Sequence, residues 1–137
     1  MTQTAPPPQV WHTVRARDAR ALIRFLVDVV GFEETVVYAD GETVHHAQLS
    51  WPPGGGVMLG SVKDTPDDPW PIPPGTGGAY VVTEGTDDID AIHKRATAAG
   101  AQVLTKPHHT DYGSYDFALR DPEGNRWSFG TYRGEPR

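Results

Sequence analysis

Histidine is the side chain best suited to chemistry in this chain, and the spacing of its copies limits what they can do together. His45 and His46 are neighbours in an extended run, so their rings leave opposite faces and cannot close on one ion. His12 sits alone in an alternating run, and a lone imidazole beside a core is more often a packed, satisfied residue than a ligand. His108-His109-Thr110-Asp111 reads as a loop and lacks the helix or strand spacing of a preformed metal site. Taken singly, His46, His108 and His109 are candidates for acid–base work, because imidazole titrates near neutral pH. The chain has no cysteine, which removes thiolate nucleophiles, disulfides and Cys-ligated zinc. It has no G-x-S-x-G, and Gly54-Gly55-Gly56 lacks the Gly-Lys-Ser/Thr ending of a phosphate loop. Asp67-Asp68 and Asp87-Asp88 read as solvated turns or helix caps. No catalytic residue and no metal ligand is assigned on this reading, and no cofactor is expected.

The elements that would position any site follow from periodicity. Thr2 to Pro8 is a Pro-rich arm. Val10 to Ala16 alternates as a strand. Asp18 can cap a helix whose stripe is Leu22, Phe25, Leu26 and Val29, with Gly31 ending it. Phe32–Tyr38, Thr43–Leu49 and Val57–Ser61 are extended runs separated by turn residues. Lys63 to Gly77 holds five prolines and no periodicity. The order then recurs: a strand at Gly78–Thr83, and a helix capped by Asp87 with stripe Ile89, Ile92, Ala96 and Ala99, ended by Gly100. Strands follow at Ala101–Thr105, Ser114–Leu119 and Asn125–Thr131. Asp18 to Gly31 and Asp87 to Gly100 both span 13 residues, an offset of 69 that also carries Gly55 onto Gly124 and Leu59 onto Ser128. The reading is α+β: two tandem βαβββ modules, 9–62 and 78–132, joined by the linker 63–77 within one domain, 1–137.

Charge excludes some partners. A net charge of −6 without a basic block disfavours nucleic acid and anionic membranes. No apolar run is long enough to span a bilayer and the N-terminus carries no leader pattern, so a cytoplasmic location is expected.

Three stretches carry a resemblance: V-R-A-R-D-A-R-A-L-I-R-F-L-V-D-V-V-G-F-E near the start, H-A-Q-L followed by V-M-L-G-S in the middle, and R-D-P-E-G-N-R-W-S-F-G at the end. In this order the chain resembles the vicinal oxygen chelate superfamily, which holds glyoxalase I, extradiol dioxygenases and bleomycin-resistance-type binding proteins. The resemblance implies a curved, incomplete barrel of paired modules with helices outside and a cup inside, and a homodimer whose cups form within or between chains.

Metal-dependent members of that family place His or Glu on the cup face of the first and last strand of each module. Carried over, those positions fall at Trp11, at Leu59, at Ala79, Tyr80 or Val81, and at Ser128. None offers a good ligand for a divalent ion. The resemblance and strand parity together give a ligand-binding set of Trp11, Thr13, Arg15, Leu59, Trp70, Tyr112, Arg126 and Ser128. Its aromatic rings would stack on a planar molecule, and its arginines would pair with an acidic group. Trp127 and Phe129 are assigned to the core. The expected function is a metal-free binding protein of the bleomycin-resistance type, sequestering an aromatic or hydrophobic compound such as an antibiotic. The alternatives are a glyoxalase-type lyase or isomerase with an unorthodox or metal-free site, and a non-catalytic dimeric scaffold.

Overall fold

A computed structural model describes residues 7–136; most of the Pro-rich arm read at 2–8 lies outside them. Strand β1 (His12–Ala16) leads to helix α1 (Ala19–Phe25), which runs on into a π-helical turn, Leu26–Val30. Strands β2 (Glu33–Asp40), β3 (Thr43–Ser50) and β4 (Gly56–Ser61) complete the first module. The second module repeats it as β5 (Gly78–Val82), α2 (Thr86–Ala98), β6 (Gln102–His109), β7 (Tyr115–Arg120) and β8 (Arg126–Gly130). Each forms its own four-stranded sheet, ordered β1-β4-β3-β2 and β5-β8-β7-β6. In both, the last strand slots in parallel beside the first and antiparallel to the third. The tandem α+β repeat read from the sequence is therefore the fold.

Local chemistry explains the helix ends. The Asp18 carboxylate accepts the Ala21 N–H at 3.1 Å and caps α1. The π-helical turn ends where the N–H groups of Gly31 and Phe32 both donate to the Leu26 carbonyl at 3.0 Å. Gly31 has φ 109, open to glycine and strained for other residues. In α2 the capping expectation is corrected: the N-cap is Gly85, whose extended backbone starts the helix before Asp87. Asp87 and Asp88 instead occupy the first turn, where carboxylates favour the positive end of the helix dipole. The histidines at 108 and 109 are likewise not in a loop, because β6 continues through them, paired with Asp116 and Tyr115.

Both helices pack on one side of the sheets. Val14, Ala16, Ala47, Leu49, Val57 and Leu59 from the first sheet and Phe117, Leu119, Trp127 and Phe129 from the second are buried there, with Leu22, Leu26, Ile89, Ile92 and Ala96, in one continuous core. The modules also interlock through specific contacts. Trp127 meets the rings of His12 and Phe32 at 5.5 and 5.7 Å. The Trp51 indole N–H donates to the Val82 carbonyl at 2.8 Å, and Arg95 Nε donates to the Val29 carbonyl at 2.7 Å. The Glu123 carboxylate, in the turn before β8, accepts the N–H groups of Arg17 and Asp18 at 2.7 and 3.0 Å, so the second module holds the entry to the first module's helix.

Candidate ligand-binding faces

Strand parity decides which side chains leave the core. Thr13 pairs with Met58 and Arg15 with Gly60, while Val14 pairs with Leu59. The open face of the first sheet therefore carries Thr13, Arg15, Met58 and, from β3, His46 and Gln48. Leu59 was expected on that face; register puts it with Val14 and Ala47 on the helix side, 3% exposed, although it also borders the hollow at the mouth of the open face. The offset is 69 from the helix through the second strand of each module and 70 from the third strand on, because the β2–β3 and β6–β7 hairpins differ in length, and one residue turns a strand side chain over.

The linker supplies the mouth of this face. Arg15 Nε donates to the Trp70 carbonyl at 3.3 Å, and its guanidinium pairs with Asp68 at the same distance. Asp68 also accepts the Trp70 N–H at 2.9 Å. Asp68 is thus an ion-pair partner rather than a solvated turn residue, and it already neutralises Arg15. Thr13, Arg15, His46, Met58, Lys63 and Trp70 line a hollow of about 290 Å³. Trp70 is 54% exposed, so much of its ring remains accessible.

The open face of the second sheet is built the same way. Tyr80, Ser128 and Ala118 lie in one row, and Gly78, Arg126 and Arg120 in the next. Among the described residues the Arg126 side chain has no hydrogen bond or ion pair, so its charge is free for an acidic group. Beyond Ser128 stands a network that sequence reading missed. Buried Asp116 accepts the hydroxyl of Tyr112 at 3.0 Å and that of Ser114. Ser114 Oγ in turn accepts the Tyr132 N–H at 3.0 Å, and the Tyr80 hydroxyl donates to the Tyr132 carbonyl at 2.8 Å. Gly130 leaves room for Asp116 and Tyr80, since a Cβ there would collide with both. That glycine between polar cross-strand neighbours was the available signal.

The tyrosines are held in their protonated form. Burial, with the Asp116 charge adding to it, pushes the Tyr80 phenol up. The hydrogen bond to Asp116 does the same for Tyr112, and that to Glu135 for Tyr132. These groups serve as donors and ring surface rather than as bases.

The expected site residues thus fall into two groups. Thr13, Arg15 and Trp70 share the first face; Arg126 and Ser128 share the second, with Tyr112 beside Asp116. Trp11 lies against Gly56 at the start of β4, where a Cβ would stand 2.8 Å from its ring. The acid–base candidates are scattered: His46 is on β3, near Tyr38 at 6.3 Å between ring centroids, and His108 and His109 are on β6.

The outward positions on the first and last strands of the modules include Thr13, Arg15, Met58, Tyr80, Arg126 and Ser128. This donor set does not fit a divalent ion, which needs several imidazoles or carboxylates converging on it. Among the described residues no group of three or more His, Asp or Glu could hold one.

Comparison with known proteins agrees with this architecture. Residues 9–129 match the family described as Glyoxalase/Bleomycin resistance protein/Dioxygenase superfamily. A search of curated proteins gives no match. Among solved structures, TioX from Micromonospora sp. ML1 is 25% identical with a TM-score of 0.70, the match covering 88% of this chain and 97% of that one. The lactoylglutathione lyase from Agrobacterium tumefaciens is 24% identical with a TM-score of 0.67, covering 91% and 94%. TnmS3, an antibiotic binding protein from Streptomyces sp. CB03234, is 23% identical with a TM-score of 0.65, covering 93% and 97%. The repeated βαβββ topology and the match across nearly the whole sequence place this chain in the glyoxalase/bleomycin resistance protein/dioxygenase superfamily.

Proposed function

We propose that this protein binds a planar, largely apolar small molecule of the antibiotic kind on its open sheet faces, and acts by holding it rather than transforming it. The observation that carries this is the chemistry of the outward strand positions. Thr13, Met58, Tyr80 and Ser128 offer hydroxyls, a thioether and a phenol, none of which is a Lewis-acid ligand set or a neutral-pH base. Around them stand exposed rings, Trp70, Tyr80, Tyr112 and Tyr132, and two cations without a partner among the described residues, Lys63 and Arg126. Flat aromatic surface with a few fixed polar groups is the chemistry that holds a planar ligand. The fold alone does not choose between binder and enzyme, since a lyase and an antibiotic-binding protein both share it.

The two faces belong to separate modules, and among the described residues no hydrogen bond or ring contact joins them. A homodimer in which the first face of one copy meets the second face of another would complete an enclosed cup. Sequestration of this kind protects in proportion to affinity and copy number.

The test is a thermal-shift and calorimetric screen of the purified protein against aromatic antibiotics, with and without chelator, followed by mass spectrometry of the recovered ligand. The expected result is stabilisation that chelator does not reduce, with the ligand unchanged. A ligand recovered chemically altered, or binding that chelator abolishes, would overturn the proposal.

A further inference from the structure

A cleft of about 420 Å³ lies between the two modules, within the size range of small-molecule sites. Phe32 and Trp51 from the first module and Ala79, Val81 and Trp127 from the second form its walls. Their rings are continuous: Phe32 stands 5.0 Å from Trp51 and 5.7 Å from Trp127 between centroids. Ala79, the ladder partner of Trp127, puts only a methyl group into the space beside them. The turn from Trp51 to Gly56 closes one side, stitched by Trp51 N–H to the Gly55 carbonyl and Gly54 N–H to the Trp51 carbonyl, both at 2.9 Å. Gly54 and Gly55 hold positive φ values suited to glycine, and the space where their side chains would stand is open, so the turn does not block the entrance. Strand β5 is an edge strand, and the cleft reaches past it to a rim made by Tyr80 and by Arg133, which follows β8. Of the exposed rings on the open faces, Tyr80 alone borders the cleft.

The charge at this rim has one sign. Arg133 is exposed and makes no hydrogen bond or ion pair among the described residues, and no Asp or Glu lines the cleft. Glu135, the nearest acid along the chain, accepts the Tyr132 hydroxyl at 2.9 Å. The donors in the walls are already committed. Trp51 Nε1 donates to Val82, Trp127 Nε1 to Asp121 at 2.8 Å, and the Tyr80 hydroxyl to Tyr132. His12 is packed as expected, its ring edge-on to Trp127 at 5.5 Å, but it is not satisfied: Nε2 is buried without a partner beside Gly77. That atom is out of a ligand's reach, so His12 gives the cleft only ring surface. Arg133 is therefore the side-chain donor left for a ligand. A guanidinium offers parallel N–H groups that match a carboxylate.

We propose that this inter-module cleft binds a flat aromatic carboxylate, with its ring against Phe32, Trp51 and Trp127 and its carboxylate paired with Arg133 at the rim. The site is additional to the open faces and meets them only at Tyr80.

The probes are 2-naphthoate and its uncharged amide, 2-naphthamide, titrated into the ¹⁵N-labelled full-length protein. Affinity is read from the indole N–H signals of Trp51 and Trp127, which report the cleft, while Trp70 reports the first open face. Both probes should shift Trp51 and Trp127 at about 1 mM, 2-naphthoate binding the more tightly. Arg133→Gln, an exposed change that leaves the walls intact, should weaken 2-naphthoate about threefold to tenfold and leave 2-naphthamide unchanged. The proposal is overturned by unmoved Trp51 and Trp127 signals at about 1 mM 2-naphthoate, by shifts confined to Trp70, or by wild-type 2-naphthoate affinity in Arg133→Gln.

Discussion

Replacing Asp121 tests how the turn before β8 holds the second module together. This carboxylate is 5% exposed and accepts five N–H groups. The backbone N–H groups of Glu123, Gly124 and Asn125 reach Oδ1 at 2.9, 3.0 and 3.0 Å. Asn125 Nδ2 and Trp127 Nε1 reach Oδ2 at 2.9 and 2.8 Å. Asp121→Ala strands two buried side-chain donors at about 1–3 kcal/mol each and removes the turn's acceptor, so the expected loss is about 3–5 kcal/mol. Asp121→Asn separates charge from geometry. It keeps one oxygen for the backbone but points an amide NH₂ at two other donors, and should cost about 2–4 kcal/mol. Urea unfolding monitored by tryptophan fluorescence measures both, with the slope against urea checking that the unfolded state is unchanged. For Asp121→Asn the melting temperature should fall by about 6 °C or more. An Asp121→Asn protein within about 1 kcal/mol of wild type would refute the reasoning, since a hub of buried donors cannot lose its acceptor at that cost.

Three further outcomes follow from the same geometry. His12→Leu should raise stability by about 1 kcal/mol, because an apolar side chain replaces a buried unpartnered nitrogen. The His12 pKa is lowered from 6.5 in the folded state, so its contribution is complete above that value and is lost as pH falls through the lowered folded pKa. Urea melts between pH 8 and 5 should show a shallower acid-side decline in the Leu variant. Glu123→Ala removes the acceptor for Arg17 and Asp18 N–H and should cost about 1 kcal/mol in the same melts, with Glu123→Gln recovering part of it. Arg126→Ala changes an exposed side chain without partners among the described residues, so stability should stay within about 0.5 kcal/mol. Affinity for an acidic planar ligand should fall about tenfold or more by calorimetry, if Arg126 pairs with its charge.

Much of the architecture was readable because it rests on local signals. Asp18 and Gly31 mark a helix by cap chemistry, and the recurrence of that spacing at Gly100 revealed the repeat. Alternation put Trp127 and Phe129 in the core with Ser128 on the opposite face, and strand parity carried over from the family resemblance put Thr13 and Arg15 on an open face. What failed depended on register. Leu59 was matched to Ser128 by a constant offset, but the β2–β3 and β6–β7 hairpins differ in length and move the offset from 69 to 70 before the third strand, so Met58 takes the open position. The Arg15–Asp68 pair was not legible, because it joins a strand to an aperiodic linker across 53 residues. The Tyr80–Asp116–Tyr112 network needs three chain segments brought together. Its one local trace was a glycine in the middle of an aromatic strand run.

The claim that this chain holds its ligand without a metal is tested most directly by elemental analysis and calorimetry on one sample of protein purified without chelator. The account predicts far less than one divalent ion per chain, and an identical binding isotherm for a planar aromatic antibiotic before and after chelation. One tightly held divalent ion per chain, whose removal abolishes binding, would contradict it.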